Sequence, residues 1–214
     1  LSESITCKVI AIINQKGGVG KTTLAINIAT KLYDDKYKVL LIDSDTQESA
    51  TDWSMAGNNK FKVIGRTRPT LEEDIIELSK GYDWVIIDGV PQIENMAKAA
   101  IKCADLVIVP VQPSQLDVWA SLDLIDIIKA RQAAREGKPL AYFCVSQKVV
   151  NSLAGNKLDS ALKDLGFPVM KGFTCQRTAY KESISIGKTV FDTRNWKAKQ
   201  EITNIVKEIK EILK

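Results

Sequence analysis

Lys16-Gly17-Gly18-Val19-Gly20-Lys21-Thr22-Thr23 follows an apolar, β-branched run, Lys8 to Ile13, and precedes Leu24 to Leu32, where apolar residues recur at helical spacing. Strand, glycine turn and helix, in that order, form the setting in which a phosphate-binding loop works. Gly17, Gly18, Val19 and Gly20 let successive backbone N–H groups curl around phosphate oxygens, and the start of the next helix adds partial positive charge. In such a loop Lys21 holds the β- and γ-phosphates, the Thr22 hydroxyl reaches Mg²⁺, and Thr23 contacts the α-phosphate. The competing reading is a plain glycine turn in an α/β protein.

Outward from this loop, short β-branched runs alternate with helix-period segments. Strands are expected at Lys8–Ile13, Val39–Ile42, Phe61–Gly65, Trp84–Ile87, Leu106–Val109 and Ala141–Ser146, with Val169–Phe173 as a seventh candidate. The alternation predicts an α/β fold, a mostly parallel twisted sheet with helices on both faces. Ligands of such sheets sit beyond the carboxyl ends of the strands. No repeat, low-complexity tract or linker interrupts the pattern, so residues 1–214 are expected to form one domain.

Composition narrows the chemistry. The chain has no histidine, which excludes Ser-His-Asp and Cys-His catalysis and any His-ligated metal. Cys7, Cys103, Cys144 and Cys175 are scattered without C-x-x-C spacing and read as reduced thiols. The longest apolar runs are of strand length, far short of a bilayer span, and the beginning of the chain has no signal-peptide pattern. A cytoplasmic location is expected.

Carboxylates at strand ends are the remaining candidates. Asp88 closes an apolar run, where a buried charge is costly unless it meets a cation or strong donors, and Mg²⁺ is such a partner. Asp43 and Asp45 lie two apart just past another strand, so an extended segment puts them on one face. Simple turn chemistry explains the same residues equally well.

These segments together resemble the ParA/MinD family of ATPases. Lys16 to Thr23 looks like that family's deviant Walker A box, which carries a second lysine at its front. Asp43-Ser44-Asp45-Thr46-Gln47 resembles its D-x-D-P-Q switch, with Thr46 in place of proline, and Trp84 to Gly89 resembles its Walker B strand. Val109 to Asp117 is similar to the P-x-x-P-S-x-x-D loop of small ParF-like plasmid partition ATPases, as is Gln176 to Tyr180 to a later motif of theirs. The resemblance implies ATP and Mg²⁺ as ligands, with Lys16, Lys21 and Asp45 catalytic. Asp45 would orient the attacking water, Thr22, Asp43 and Asp88 would serve the Mg²⁺ shell, and Lys16 would reach across a two-fold interface into the partner's ATP. It further implies an ATP-dependent homodimer that assembles further in ParF-like members, a ParB/ParG-like centromere-binding partner, nucleoid association in the ATP state, and slow hydrolysis.

Three regions remain open at this level. Adenine is flanked either by Gln112, Pro113 and Asp117 or by Gln147 and Lys148. Between Lys157 and Lys199 there are nine Lys/Arg against four Asp/Glu, an excess larger than the whole chain's net +4. That basic stretch is either a solvated surface or a phosphate-backbone footprint built from Arg177, Lys181, Lys188, Arg194, Lys197 and Lys199. The last segment places Ile202, Ile205, Val206, Ile209, Ile212 and Leu213 on one helical face. That face is read as packed on the sheet, since its polar side mixes acids with lysines and no Trp or Phe lies among the apolar residues. A MinD-like membrane helix is the alternative. A nucleotide-gated scaffold for other cargo is the third functional class.

Overall fold

The computed structural model describes residues 7–57, 60–68, 70–89, 95–113, 122–149, 162 and 164–214. Among them, six parallel strands form one sheet: β1 Lys8–Ile12, β2 Val39–Asp43, β3 Lys62–Gly65, β4 Trp84–Asp88, β5 Leu106–Val111 and β6 Leu140–Val145. Their spatial order is β3-β2-β4-β1-β5-β6. From β1 the chain moves to β2 on one side, and after β4 it crosses to β5 on the other. The reversal opens a crevice beyond the carboxyl end of β1, the position at which sheets of this kind bind ligands.

The near-continuous apolar strands are buried on both faces. Val9, Ala11 and Ile13 point into one core, with α3 (Leu71–Leu78), α4 (Asn95–Cys103) and α5 (Leu122–Ala134). Ile10 and Ile12 point into the other, with α1 (Lys21–Asp34), α2 (Ser49–Ala56) and α7 (Trp196–Ile212). A short helix, α6 (Thr178–Ile184), and a 3₁₀ turn, Val190–Asp192, precede α7.

Helix α7 begins where Asn195 accepts a hydrogen bond from the Ala198 N–H at 3.1 Å, a side-chain N-cap. Ile202, Ile205, Val206 and Ile209 are then buried against α1 and the sheet. Burial of each contributes about 1.5–3 kcal/mol relative to exposure. This face is spent on the core and is not available to lipid.

Two expectations need correction. Strand β5 continues through Pro110 to Val111. By that point β1 has ended, so the ladder needs no N–H from proline, and the Pro110 carbonyl accepts the Asn14 side-chain amide at 2.6 Å. The seventh strand does not form. Val169 makes one bridge to Phe143, and Thr174 donates its N–H to the Val145 carbonyl, but between them Glu208 of α7 accepts the N–H groups of Lys171 and Gly172 at 2.9 and 2.8 Å. The helix draws this backbone out of the sheet.

Candidate nucleotide site

The glycine loop crosses from β1 to α1, with Gly20 as the residue before the helix at φ 91°, a left-handed conformation suited to glycine. Among the described residues no side chain caps α1, which leaves its first N–H groups for a ligand. The rest of the loop is fixed from behind. The Ser146 hydroxyl donates to the Val19 carbonyl at 2.7 Å, while the amides of Gln147 and Gln112 donate to the Gly18 carbonyl at 2.7 and 3.1 Å. Asn14 accepts the Lys16 N–H at 3.0 Å. Side chains just past β5 and β6 thus engage the Gly18 and Val19 carbonyls and fix the loop's shape.

Lys21 is buried, and its ammonium donates to the Lys16 carbonyl at 3.0 Å. Burial pushes its pKa down, while Asp88 and Asp45 act in the opposite sense. Asp88 lies at the end of β4, fully buried, and neither carboxylate oxygen has a hydrogen-bond partner among the described residues. Burial, reinforced by Asp43 and Asp45, pushes its pKa up to about 7 against the nearby Thr22 hydroxyl and Lys21 ammonium. A carboxylate without a hydrogen-bond partner beside a loop threonine offers oxygens of the kind a hard cation takes, with the rest of its shell left to water and phosphate. Gly89 lets β4 end this close to β1: a Cβ there would lie 2.8 Å from Ile13 and 2.9 Å from the Ile12 carbonyl oxygen.

The two switch carboxylates are not equivalent. Asp43 is buried, and its Oδ2 accepts both the Thr51 N–H at 2.8 Å and the Thr51 hydroxyl at 3.0 Å, while Oδ1 accepts the Asp45 N–H. Its oxygens are already engaged by protein donors, which suits a residue that positions the switch. Asp45 is half-buried and faces the pocket, as do Gln47 and Ser49.

A cavity of about 430 Å³ is lined by Gly17, Gly18 and Gly20 to Leu24, by Asp45, Gln47 and Ser49, and by Gln147, Thr174 to Arg177 and Lys181. Gln112 reaches the loop backbone, Pro113 is half-buried and does not line the cavity, and Ser114 to Asp117 lie outside the described residues. Lys148 lies just beyond, its ammonium 4.8 Å over the Phe173 ring.

The basic candidates separate into two sets. Arg177 is bonded to Glu201 of α7 through Nε at 2.8 Å and a terminal nitrogen at 2.6 Å, and Glu201 also accepts the Tyr180 hydroxyl and the Cys175 N–H. It braces the pocket wall instead of facing outward as a phosphate ligand. Lys181, Lys188, Arg194 and Lys197 are exposed, and Lys199 is half-buried. Ser146 and Thr51 carry no local sequence signal: a serine ending a strand and a threonine opening a helix read as ordinary turn residues.

Residues 10–190 match the family model described as CobQ/CobB/MinD/ParA nucleotide binding domain. Maintenance of carboxysome distribution protein A from Gloeobacter kilaueensis is 30% identical over 198 residues, which covers 90% of this chain and 88% of that protein. Protein ParA from Rhizobium radiobacter is 26% identical over 185 residues, covering 84% and 83%. Among solved structures, apo McdA from Cyanothece has a TM-score of 0.81 at 17% identity, covering 95% of this chain and 99% of its own. MinD from Aquifex aeolicus has a TM-score of 0.78 at 20% identity, covering 96% and 97%. At these identities the structural likeness speaks to fold alone.

Proposed function

The chain belongs to the CobQ/CobB/MinD/ParA nucleotide-binding family, and from that premise we propose that it is a positioning ATPase gated by ATP and Mg²⁺. In this reading the ATP state is a homodimer that holds nonspecific DNA, and slow hydrolysis, stimulated by a partner protein, releases it. The observation that carries the nucleotide part is the Asp88 carboxylate, buried beside Lys21 and Thr22 with no hydrogen-bond partner among the described residues, next to a cavity lined by the start of α1.

Thr22 and Asp88 would hold the cation, which when bound neutralises charge on the β- and γ-phosphates. Lys21 exchanges the Lys16 carbonyl for phosphate oxygens. The N–H groups of Gly17 to Thr22 bind the chain of phosphates and exclude water from it. Asp43 holds the switch backbone through Asp45 N–H and Thr51, and Asp45 orients the attacking water. Lys16 completes the partner subunit's site. Exposed Lys181, Lys188, Arg194 and Lys197 supply salt-sensitive contacts to the DNA backbone.

The cargo of such a protein is a plasmid or chromosome tethered through a ParB/ParG-like protein, with action in the cytoplasm on the nucleoid. Similarity over 90% of the chain to a carboxysome-distribution protein favours a second reading, in which the cargo is a protein body carried on the same DNA surface. No helix among the described residues is long and apolar enough to cross a membrane.

Fluorescence anisotropy of a random-sequence duplex, with ATP and Mg²⁺ against ADP and Mg²⁺ at two salt concentrations, tests this function. Binding confined to ATP and weakened by salt supports it. Equal binding in both states, or none from protein that binds ATP, removes the DNA-carrier mechanism.

A further inference from the structure

The pocket wall formed by Asp45, Gln47 and Ser49 runs without a break into α2, whose first residue is Ser49. This loop is internally fixed: the Gln47 N–H donates to Asp45 Oδ1 at 2.9 Å and the Glu48 N–H to the Asp45 carbonyl at 3.0 Å. Thr51 then ties the helix to Asp43 by two hydrogen bonds.

Beyond Thr51, α2 is fastened to a segment far along the chain. Trp53 is buried, stacks on Phe61 with centroids 6.0 Å apart, and donates its indole N–H to the Lys188 carbonyl at 2.9 Å. Just past the end of the helix, the backbone of Gly57 rests directly on that of Gly187. A Cβ at Gly57 would lie 1.8 Å from the Gly187 carbonyl oxygen, and one at Gly187 would lie 2.3 Å from the Gly57 nitrogen. From there Thr189 and Asp192 form a capping box, and the Val190 N–H donates to Asn27 of α1 at 3.1 Å.

Eight helical residues span about 12 Å, and close-packed contacts transmit a displacement instead of absorbing it. One end of this rod, Ser49, lines the cavity. The other holds the backbone that presents the exposed cations Lys188 and Arg194.

We propose that α2 is a lever linking the 45–49 loop to residues 186–194, so that the nucleotide state sets how Lys188 and Arg194 are presented. This rests on the nucleotide reading above and adds the route by which the site is coupled to the basic surface. The Trp53–Lys188 hydrogen bond and the Gly57–Gly187 contact are its joints, and Asn27 supplies the fixed point against which the segment turns.

Hydrogen–deuterium exchange of the full chain, nucleotide-free and with saturating AMPPNP and Mg²⁺, tests the lever in wild type and Trp53→Phe. Phenylalanine keeps the ring stack and deletes the indole donor. If the tryptophan variant does not fold, the wild-type comparison decides, because the lever requires exchange to change at both segments on binding. In wild type, exchange is expected to change on binding both at 45–57 and at 186–194. Trp53→Phe, which lies outside the pocket wall, should keep AMPPNP affinity within about threefold. It should keep the change at 45–57 and lose at least half of that at 186–194. Faster exchange at 186–194 by the same factor in both states, with the difference preserved, would mean that Trp53 only supports the structure and would overturn the lever. So would an unchanged 186–194 segment in wild type shown to bind AMPPNP. Failure of wild type to bind AMPPNP at all would instead take down the nucleotide reading, and the lever with it.

Discussion

The Ser146 hydroxyl donates to the Val19 carbonyl across 2.7 Å, joining the residue just past β6 to the apex of the glycine loop. Both residues are buried. Ser146→Ala leaves the carbonyl without this donor, which costs about 1 kcal/mol of stability. Because the bond also fixes the shape of the glycine loop, ATP affinity should fall by about fivefold to tenfold with the fold intact. Titration calorimetry beside a urea denaturation curve checks both numbers. Unchanged affinity would show that the loop keeps its shape without this brace.

Asp88→Asn exchanges a buried carboxylate with no hydrogen-bond partner among the described residues for a neutral amide of nearly the same shape. Burial outweighs the help of Thr22 and Lys21, so removal of the charge should leave the nucleotide-free protein as stable as wild type or more so, while Mg²⁺ no longer strengthens ATP binding. The expected pattern is an unchanged or higher Tm in EDTA, with loss of the additional Tm rise that Mg²⁺ gives to ATP. A variant destabilised without ligand would mean that Asp88 has protein partners in solution.

Lys16 and Lys21 should separate cleanly. Lys21→Ala removes the buried ammonium inside the cavity and should abolish ATP binding. Lys16→Ala should bind ATP within about threefold of wild type but fail to dimerise and to hydrolyse it. Sedimentation velocity with ATP and Mg²⁺ distinguishes them, and a dimeric Lys16→Ala protein with normal turnover would rule out a role across the interface.

A pH dependence is expected where α7 ends. Burial alone would raise the pKa of Asp35, but the Lys210 ammonium at 2.5 Å and the adjacent Lys31 outweigh it and hold the carboxyl below its ordinary range. A carboxylate with a depressed folded pKa adds stability above the unfolded value near 3.9 and loses it as pH falls through the folded pKa. Asp35→Asn should therefore be less stable than wild type at pH 7, by about 0.5–1 kcal/mol after solvent screening, and the two should converge as pH drops below about 4. Urea midpoints across this range, repeated at high salt, would show the gap closing in both directions if the ion pairs cause it.

The parts of this molecule that were legible in its sequence are those written locally. The glycine loop, the strand-end carboxylates and the amphipathic last helix each carry their chemistry within a few residues; the strands formed within one or two residues of the expected bounds, while the last helix begins at Trp196, six residues before Ile202. What escaped were contacts between distant segments. Ser146 meets Val19 across 127 positions, and Trp53 meets Lys188 across 135, so neither pairing leaves a spacing to read. Arg177 was grouped with the cations of a basic stretch because its partner, Glu201, lies on a helix that composition alone could not bring beside it. The seventh strand failed for the same kind of reason: Glu208, on that helix, takes its backbone donors.

Titration calorimetry of ATP into wild type and Asp88→Asn, each with Mg²⁺ and with EDTA, is the most direct test of a nucleotide site built around a buried carboxylate. Wild type should bind one ATP per chain, more tightly with Mg²⁺, and Asp88→Asn should bind with a single, metal-independent affinity. No heat of ATP binding in wild type, or an undiminished Mg²⁺ effect in the variant, would contradict it.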